Sequence, residues 1–157
     1  MDDRPVKIID TSQNGQMPVS FWLKRAAQYS ADLYAEQLGK SGLTQRQYTV
    51  LETLRRNEGR SQTVLVRQSG IDRSTLADLI NRLEMQGYLR RERSENDARV
   101  NYVFLTESGR EMLAKAEPMV SLVDKALVDS LPEGKREAFQ TCLHLLSSRL
   151  DVENADS

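Results

Sequence analysis

Apolar residues recur along most of this chain at the three- and four-residue spacing of amphipathic helices. The first 19 residues lack such a period and are rich in polar residues, which predicts a flexible arm. Ser20 is placed to cap a helix that begins at Phe21, because a serine oxygen can accept from the first free backbone N–H groups. Gly39 and Gly42 are expected to end this helix.

A second helix is predicted to start after Thr44, which stands three residues before Gln47 in the spacing of a capping box. Tyr48, Leu51 and Leu54 give this helix an apolar face. The polar stretch 57–59, which closes on a glycine, is expected to end it.

Two shorter helical patterns follow and meet across a glycine-containing turn. The first, of about eight residues, is capped by Ser61 and broken at Gly70. The second, of about fourteen residues, is capped by Asp72 and ends before Gly87, and its apolar residues recur at i, i+3, i+4 and i+7. Two helices joined in this way are typical of a helix-turn-helix.

The apolar period changes after Gly87. Residues 88–93 and 99–105 are rich in aromatic, branched and arginine side chains, and the polar cluster 94–98 separates them. This pattern predicts a β-hairpin with a charged tip. A helix-turn-helix followed by such a hairpin is a winged helix, so the predicted fold is mainly α with a small β-hairpin wing.

Two more helices are predicted after the hairpin. Thr106 restarts a helix that runs to about Ser130, and Pro118 should bend it. Pro132 is expected in the opening turn of the last helix, and the acidic tail 151–157 is expected to be frayed. The apolar stripe of the last helix consists of Phe139, Cys142, Leu143, Leu146 and Leu150.

Length and composition narrow the function classes. A chain of 157 residues is long enough for one domain with a buried core. It has no uncharged apolar stretch of about 18 residues and no apolar segment near its start, so we predict neither a transmembrane helix nor a signal peptide and expect a cytoplasmic protein. The single Cys142 and single His144 exclude a disulfide within the chain, a multi-cysteine metal site and a catalytic histidine cluster. No motif predicts a cofactor, a metal or an enzymatic activity.

The charge is unevenly distributed. The whole chain carries a formal net charge of −1, whereas residues 40–110 hold 13 Lys and Arg against 9 Asp and Glu. Such asymmetry indicates that the middle of the chain meets a polyanion, although an ordinary solvated face gives the same count.

The winged helix offers groups that recognise double-stranded DNA. Its second helix enters the major groove, where arginine can read guanine, hydroxyls can hold bases or phosphates, and aspartate can accept from cytosine. The N-terminus of the preceding helix suits a phosphate, and the hairpin arginines suit phosphates and a narrow minor groove. The candidate DNA-binding residues are Ser61, Gln62, Thr63, Arg73, Ser74, Thr75, Asp78, Arg82, Arg90, Arg91, Arg93 and Arg99.

Several motifs of this chain resemble the MarR family of bacterial transcriptional regulators. They are Ser61–Thr63, Gly70–Leu76, Asn81–Glu84, Gly87–Leu89, Arg91–Arg93, Asp97–Arg99 and Leu105–Gly109. The resemblance is close over about residues 43–113, and its most specific part is the Asp-x-Arg tip followed by Leu-Thr-x-x-Gly. The flanking helices match in number and position.

The resemblance implies a homodimer. Its dimerisation region would be the helix 20–42 and the C-terminal helices 114–150, flanking the DNA-binding region 43–113. It further implies that Arg99 lies in the minor groove, held by Asp97, which adds Asp97 to the candidate DNA-binding residues. The implied dimer contacts are Phe21, Phe139, Leu143, Leu146 and Leu150.

The resemblance also implies a cleft for a small aromatic effector between the dimer core and the DNA-binding lobe. The aromatic residues available to line it are Trp22, Tyr29, Tyr34 and Tyr48, although such spacing is more often that of a simple core. Asp78 departs from the family pattern, in which many relatives carry a basic residue facing DNA. Its carboxylate either pairs with Arg82 at i+4 or reads a base.

The combined prediction is a ligand-responsive repressor that binds a pseudo-palindromic operator as a homodimer. One alternative is an oxidant-sensing regulator that uses Cys142, but the apolar neighbours of this thiol favour a buried and inert residue. A second alternative is a winged-helix module that binds proteins and has no DNA affinity.

Overall fold

The computed structural model describes residues 17–93 and 101–149, which form six α-helices and a three-stranded antiparallel sheet. The helices are α1 (Val19–Leu38), α2 (Gln45–Arg56), α3 (Gln62–Ser69), α4 (Arg73–Met85), α5 (Glu107–Asp129) and α6 (Arg136–Ser147). The strands are β1 (Arg60–Ser61), β2 (Leu89–Arg93) and β3 (Asn101–Leu105), and short 3₁₀ helices lie at Gly39–Ser41 and Glu133–Lys135. Most of the predicted arm, the wing tip with Asp97 and Arg99, Leu150 and the acidic tail lie outside the described residues.

Polar caps start four of the helices at the predicted places. Thr44 accepts from the Gln47 backbone N–H at 3.3 Å, and the Gln47 side chain accepts from the Thr44 N–H at 2.9 Å, which completes the capping box of α2. Ser61, Asp72 and Thr106 cap α3, α4 and α5 in the same way. Since each cap satisfies a backbone N–H that has no partner within its helix, the first turn of each helix is set locally.

The start of α1 differs from the prediction. The helix begins at Val19 with Pro18 at its N-cap, and Ser20 lies inside the first turn instead of capping it. The Phe21 N–H donates to the Pro18 carbonyl at 2.9 Å. Proline is compatible with this position because its fixed φ suits the extended conformation of an N-cap residue. No side chain caps α1.

The wing sheet contains a third strand that the hydrophobic pattern did not predict. Arg60 and Ser61 pair with Val103 and Tyr102 of β3, which places β3 between β1 and β2. A two-residue strand is too short to show an alternating pattern, so its sequence carries no strand signal.

The last helix also starts later than predicted. Pro132 precedes the 3₁₀ turn, and the Lys135 N–H donates to the Pro132 carbonyl at 2.9 Å. Helix α6 begins only at Arg136, whose guanidinium Nη1 lies 2.9 Å from Asp129 Oδ1 at the end of α5. Helix α5 itself continues through Pro118 and ends at Asp129.

A single core of buried aliphatic side chains lies where α2, α3 and α4 meet the wing sheet and α5. The fully buried members include Leu51, Leu54, Leu65, Leu76, Ile80, Leu83, Leu89, Val103 and Leu113. They come from helix and strand positions with the predicted spacing, and burying each contributes roughly 1.5–3 kcal/mol relative to exposure. This core holds the helix-turn-helix and the wing in one rigid arrangement. Across the two described ranges, no helix has the length and apolar character needed to cross a membrane.

Candidate nucleic-acid interface

The N-terminus of α3 presents three predicted DNA-binding residues. The Ser61 hydroxyl oxygen accepts from the Val64 N–H at 3.5 Å and therefore caps the helix. Gln62 is half-buried and Thr63 is exposed. This end leaves backbone N–H groups and the Thr63 hydroxyl directed to the surface, an arrangement that suits a phosphate oxygen.

The N-terminus of α4 is organised around Asp72. Its Oδ1 accepts from the Thr75 N–H at 3.0 Å and from the Ser74 hydroxyl at 2.7 Å. These hydrogen bonds hold the pKa of Asp72 well below its ordinary value of 3.8, and the bond from the Thr75 backbone N–H has the largest effect. The hydroxyl of Ser74 is thus occupied by the cap in the free protein, while Arg73 beside it is exposed.

The exposed face of α4 carries a ridge of polar side chains, and the opposite face of the helix is buried in the core. Leu76, Ile80 and Leu83 face the core, and Ser74, Asp78 and Asn81 recur at i, i+4 and i+7 on the exposed side. Asp78 and Arg82 do not form an ion pair with each other or with another side chain that the structure describes. The pairing of Asp78 with Arg82 that the i+4 spacing allows is therefore not made.

Strand β2 sends its arginines to opposite faces of the wing sheet. Arg91 Nε donates to Glu84 Oε2 of α4 at 2.9 Å, and this bond is the first cause that lowers the pKa of Glu84. Arg90 points to the other face, where it pairs with Glu92 and its guanidinium carbon lies 4.7 Å from the Phe104 ring centroid. Arg93 is exposed near the tip. Of the wing arginines predicted to meet DNA, Arg91 is already engaged with α4.

Comparison with known proteins shows the same architecture. The sequence model of the MarR family matches residues 41–100. The transcriptional regulator HosA of Escherichia coli is 33% identical over 97 residues, which cover 62% of this chain and 72% of HosA. The chain belongs to the MarR family. Like the relatives of known function, it is a transcriptional regulator of that family.

Solved structures of MarR-type regulators superpose over most of the chain. The repressor CouR, solved bound to a 23-mer DNA duplex, gives a TM-score of 0.77 at 28% identity and covers 88% of this chain and 98% of its own. BpsR of Bordetella bronchiseptica, whose DNA binding is regulated by 6-hydroxynicotinic acid, gives a TM-score of 0.77 at 27% identity. The match covers 82% of this chain and 98% of BpsR. The winged-helix fold predicted from the sequence is confirmed.

The four aromatic residues predicted for an effector cleft are not gathered in one place in this MarR-family chain. Tyr34 and Tyr48 line a cavity of about 330 Å³ against α2 and the end of α3. Tyr29 lies one and a half turns earlier on α1, and its hydroxyl is 3.1 Å from Ser130 Oγ. Trp22 stacks edge-on against Phe21, with ring centroids 5.1 Å apart.

A larger cavity, of about 620 Å³, separates α1 and the start of α2 from helix α4. Tyr34 lines it on one side, and its other walls hold Ala31, Ala35, Gly39, Leu43, Thr44, Gln45, Arg46, Thr75, Asp78, Leu79 and Arg82. Burial, followed by the charge of Asp124 and then by Tyr48, raises the pKa of Tyr34 to about 12, so its phenol stays a neutral donor at physiological pH. The cavity joins an apolar wall to the guanidinium groups of Arg46 and Arg82 and to the carboxylate of Asp78.

The predicted dimer contacts are exposed in the single chain. Phe139, Leu143 and Leu146 are 37%, 45% and 58% exposed, and no residue of α6 is buried. Phe21 is half-buried beneath Trp22, and Arg25 lies 5.9 Å over its ring. Leu150 lies outside the described residues.

The expectation that Cys142 is buried is wrong for the single chain. Its thiol is exposed on the same face of α6 as Phe139 and Leu146. An apolar stripe shows which face of a helix is covered in the final assembly, but here nothing within the described chain covers it.

Two polar residues at these surfaces are not among the candidate site residues predicted from the sequence. Asn81 stands on the exposed ridge of α4 midway along the helix, and its i+7 spacing from Ser74 is the signal that could have found it. Arg46 lines the larger cavity from the first turn of α2, and no pattern in the sequence singles it out from the other arginines.

Proposed function

We propose that the protein is a homodimeric repressor that binds a pseudo-palindromic DNA operator and releases it when a small aromatic acid binds. The observation that carries this proposal is the exposed polar ridge of α4, with Arg73 beside it and the arginine-bearing wing next to it. A helix of 13 residues with one buried and one polar face fits the major groove of B-DNA. The CouR complex supports the same docking, since CouR was solved on a DNA duplex.

The homodimer is supported by the uncovered face of α6. Three large apolar side chains, Phe139, Leu143 and Leu146, are exposed there, and Val19 and Leu23 of α1 are exposed as well. Large apolar side chains exposed in this number are costly in water and favour an interface. A second copy of the chain is the proposed occupant, because a twofold axis would set two α4 helices one turn of DNA apart.

The effector site is the cavity of about 620 Å³ between α1, α2 and α4. Its volume lies in the range of ligand pockets, which is about 300–1,000 Å³. Arg46 and Arg82 offer guanidinium groups for a carboxylate, while Leu43 and Leu79 offer apolar contacts for a ring. The regulation of BpsR by 6-hydroxynicotinic acid supports a ligand of this class.

A fluorescence-anisotropy titration tests DNA binding. The full-length protein is titrated with DNA from upstream of its own gene and with a scrambled duplex of equal length, each at two salt concentrations. We expect tighter binding to the native duplex and a steep fall of affinity with salt, because phosphate contacts release counterions. Absence of binding at low salt would favour the protein-interaction alternative.

The effector is tested on the preformed protein–DNA complex. Aromatic carboxylates, with 6-hydroxynicotinic acid among them, are added to the wild type and to Arg46→Ala. We expect at least one acid to release the wild type from DNA and to be about tenfold or more less effective on Arg46→Ala, since a charge-assisted hydrogen bond contributes about 1.5–3 kcal/mol. Lys115→Ala, which removes an exposed charge on α5, is the matched control.

A further inference from the structure

The recognition helix carries an acid at the centre of the surface that should face a polyanion. Asp78 lies on the exposed ridge of α4 between Ser74 and Asn81. The other acids near it are engaged: Asp72 caps the helix, and Glu84 is bonded to Arg91. Asp78 and Asn81 make no side-chain hydrogen bond or ion pair with any residue in the described ranges.

The arginines on either side of the ridge are placed for phosphate contacts, and the ridge itself is placed for base contacts. At about 100° per residue, Arg73 and Arg82 fall on opposite sides of the line through Ser74, Asp78 and Asn81. Both arginines are exposed, so they can reach the phosphates that border the groove on either side. The ridge between them then faces the base edges, where an acid is not opposed by phosphate.

We infer that Asp78 and Asn81 determine operator specificity by reading cytosine and adenine at neighbouring base pairs. This inference rests on the proposed DNA binding and names what that binding selects. A carboxylate can only accept, and the cytosine N4 amine is the donor that it matches in the major groove. An asparagine amide both donates and accepts, and it matches adenine N6 and N7.

The spacing along the helix agrees with adjacent bases. Asp78 and Asn81 are three residues apart, which is about 4.5 Å along the helix axis. Successive base pairs are about 3.4 Å apart along each strand. The two side chains can therefore meet neighbouring base pairs in each half-site.

The test measures base preference at every half-site position. Random duplexes are first selected with the full-length wild-type protein. The selected duplex and its single-base variants are then titrated by anisotropy with the wild type, Asp78→Asn, Asn81→Ala and Glu111→Gln. Glu111 is an exposed acid on α5, so Glu111→Gln changes the net charge as Asp78→Asn does while leaving the ridge intact.

The expected result is a local loss of discrimination. The wild type should bind the selected duplex about 5- to 150-fold more tightly than the variant that replaces the cytosine. Asp78→Asn should shift the preference at one position of each half-site from cytosine towards adenine, because the amide donates as well as accepts, and Asn81→Ala should abolish the preference for adenine at the next position. Discrimination at the remaining positions, and every preference of Glu111→Gln, should stay as in the wild type.

Three outcomes would overturn the inference. If the selected half-site lacks a cytosine next to an adenine, the two bases that Asp78 and Asn81 are inferred to read are absent. Unchanged preferences in Asp78→Asn show that the acid reads no base. A uniform gain in affinity of Asp78→Asn for all duplexes, scrambled DNA included, shows that Asp78 only repels phosphates. Failure of the proposed function is distinct, because the wild type would then select no sequence at all.

Discussion

Gly109 lies directly against the backbone of Tyr88: a β-carbon on Gly109 would stand 2.1 Å from the Tyr88 carbonyl oxygen. That carbonyl accepts from the Thr106 N–H at 3.1 Å, and the Thr106 hydroxyl donates to the Gly87 carbonyl at 2.6 Å. The first turn of α5 is thus bonded to the turn that follows α4. This junction gives the Leu-Thr-x-x-Gly pattern a physical reason and connects α4 to a helix of the proposed dimer core.

Substitution of Gly109 by alanine should destabilise the protein. The added methyl group would meet a backbone carbonyl that hydrogen bonding at this junction holds in place, so we expect a loss of about 1–3 kcal/mol in the free energy of unfolding. Gly134→Ala is the matched control, because no atom lies within 4 Å of a β-carbon there, and it should change stability by less than about 0.5 kcal/mol. Urea unfolding at one fixed protein concentration measures both, and equal transition midpoints would contradict the prediction.

Exchanging the charges of Arg91 and Glu84 distinguishes two roles of Arg91, namely positioning the wing against α4 and contacting DNA. Arg91→Glu and Glu84→Arg should each weaken operator binding, because either change places two like charges between the wing and α4. If Arg91 positions the wing, the double variant restores most of the lost affinity. If Arg91 holds a phosphate, the double variant stays as weak as Arg91→Glu. The double-mutant cycle is measured by anisotropy at fixed salt.

The α6 interface predicts a change in association. Leu146→Asp places a charge in the exposed apolar face and should raise the dimer dissociation constant at least tenfold, since burying an unpaired charge costs several kcal/mol. Thr141→Asp adds the same charge on the opposite face of α6 and should leave the constant unchanged. Sedimentation velocity over a concentration series measures both, and identical behaviour of Leu146→Asp and the wild type would place the interface elsewhere.

The single thiol reports on the same face. Cys142 is exposed in one chain and lies beside Leu146, so dimerisation should cover it. We expect thiol labelling of the wild type to slow as protein concentration rises, whereas labelling of Leu146→Asp should stay fast at every concentration. Equal, fast labelling at all concentrations of the wild type would mean that Cys142 is open in the dimer, and the oxidant-sensor alternative would then gain support.

The stability of the protein should fall at alkaline pH because of Tyr34. Burial raises its pKa to about 12 from an ordinary value of 10.0, so the folded state holds the phenol proton more tightly than the unfolded state. The resulting stabilisation is complete below pH 10 and is lost as the pH rises towards 12. Urea unfolding at stepped pH should show a shallower decline for Tyr34→Phe, and parallel declines of the two proteins would contradict the assignment.

Local signals predicted the helices of the winged helix well because nearby residues set where each one starts. Thr44, Ser61, Asp72 and Thr106 each cap the helix that follows them, and a cap needs only the next three residues. The strand Arg60–Ser61 escaped notice because it exists only through its pairing with β3, some 40 residues away in the chain.

The sequence by itself determined the order of the six helices and the two hairpin strands, the buried faces of α2 and α4, and the family to which the chain belongs. Only the tertiary structure decided which polar groups are already engaged. Arg91 of β2 is bonded to Glu84 of α4, whereas Asp78 makes no side-chain bond within the described ranges, although both are candidate DNA-binding residues. The reason is that periodicity assigns a residue to a face of its own helix or strand, whereas the partner of a side chain depends on where the other elements pack.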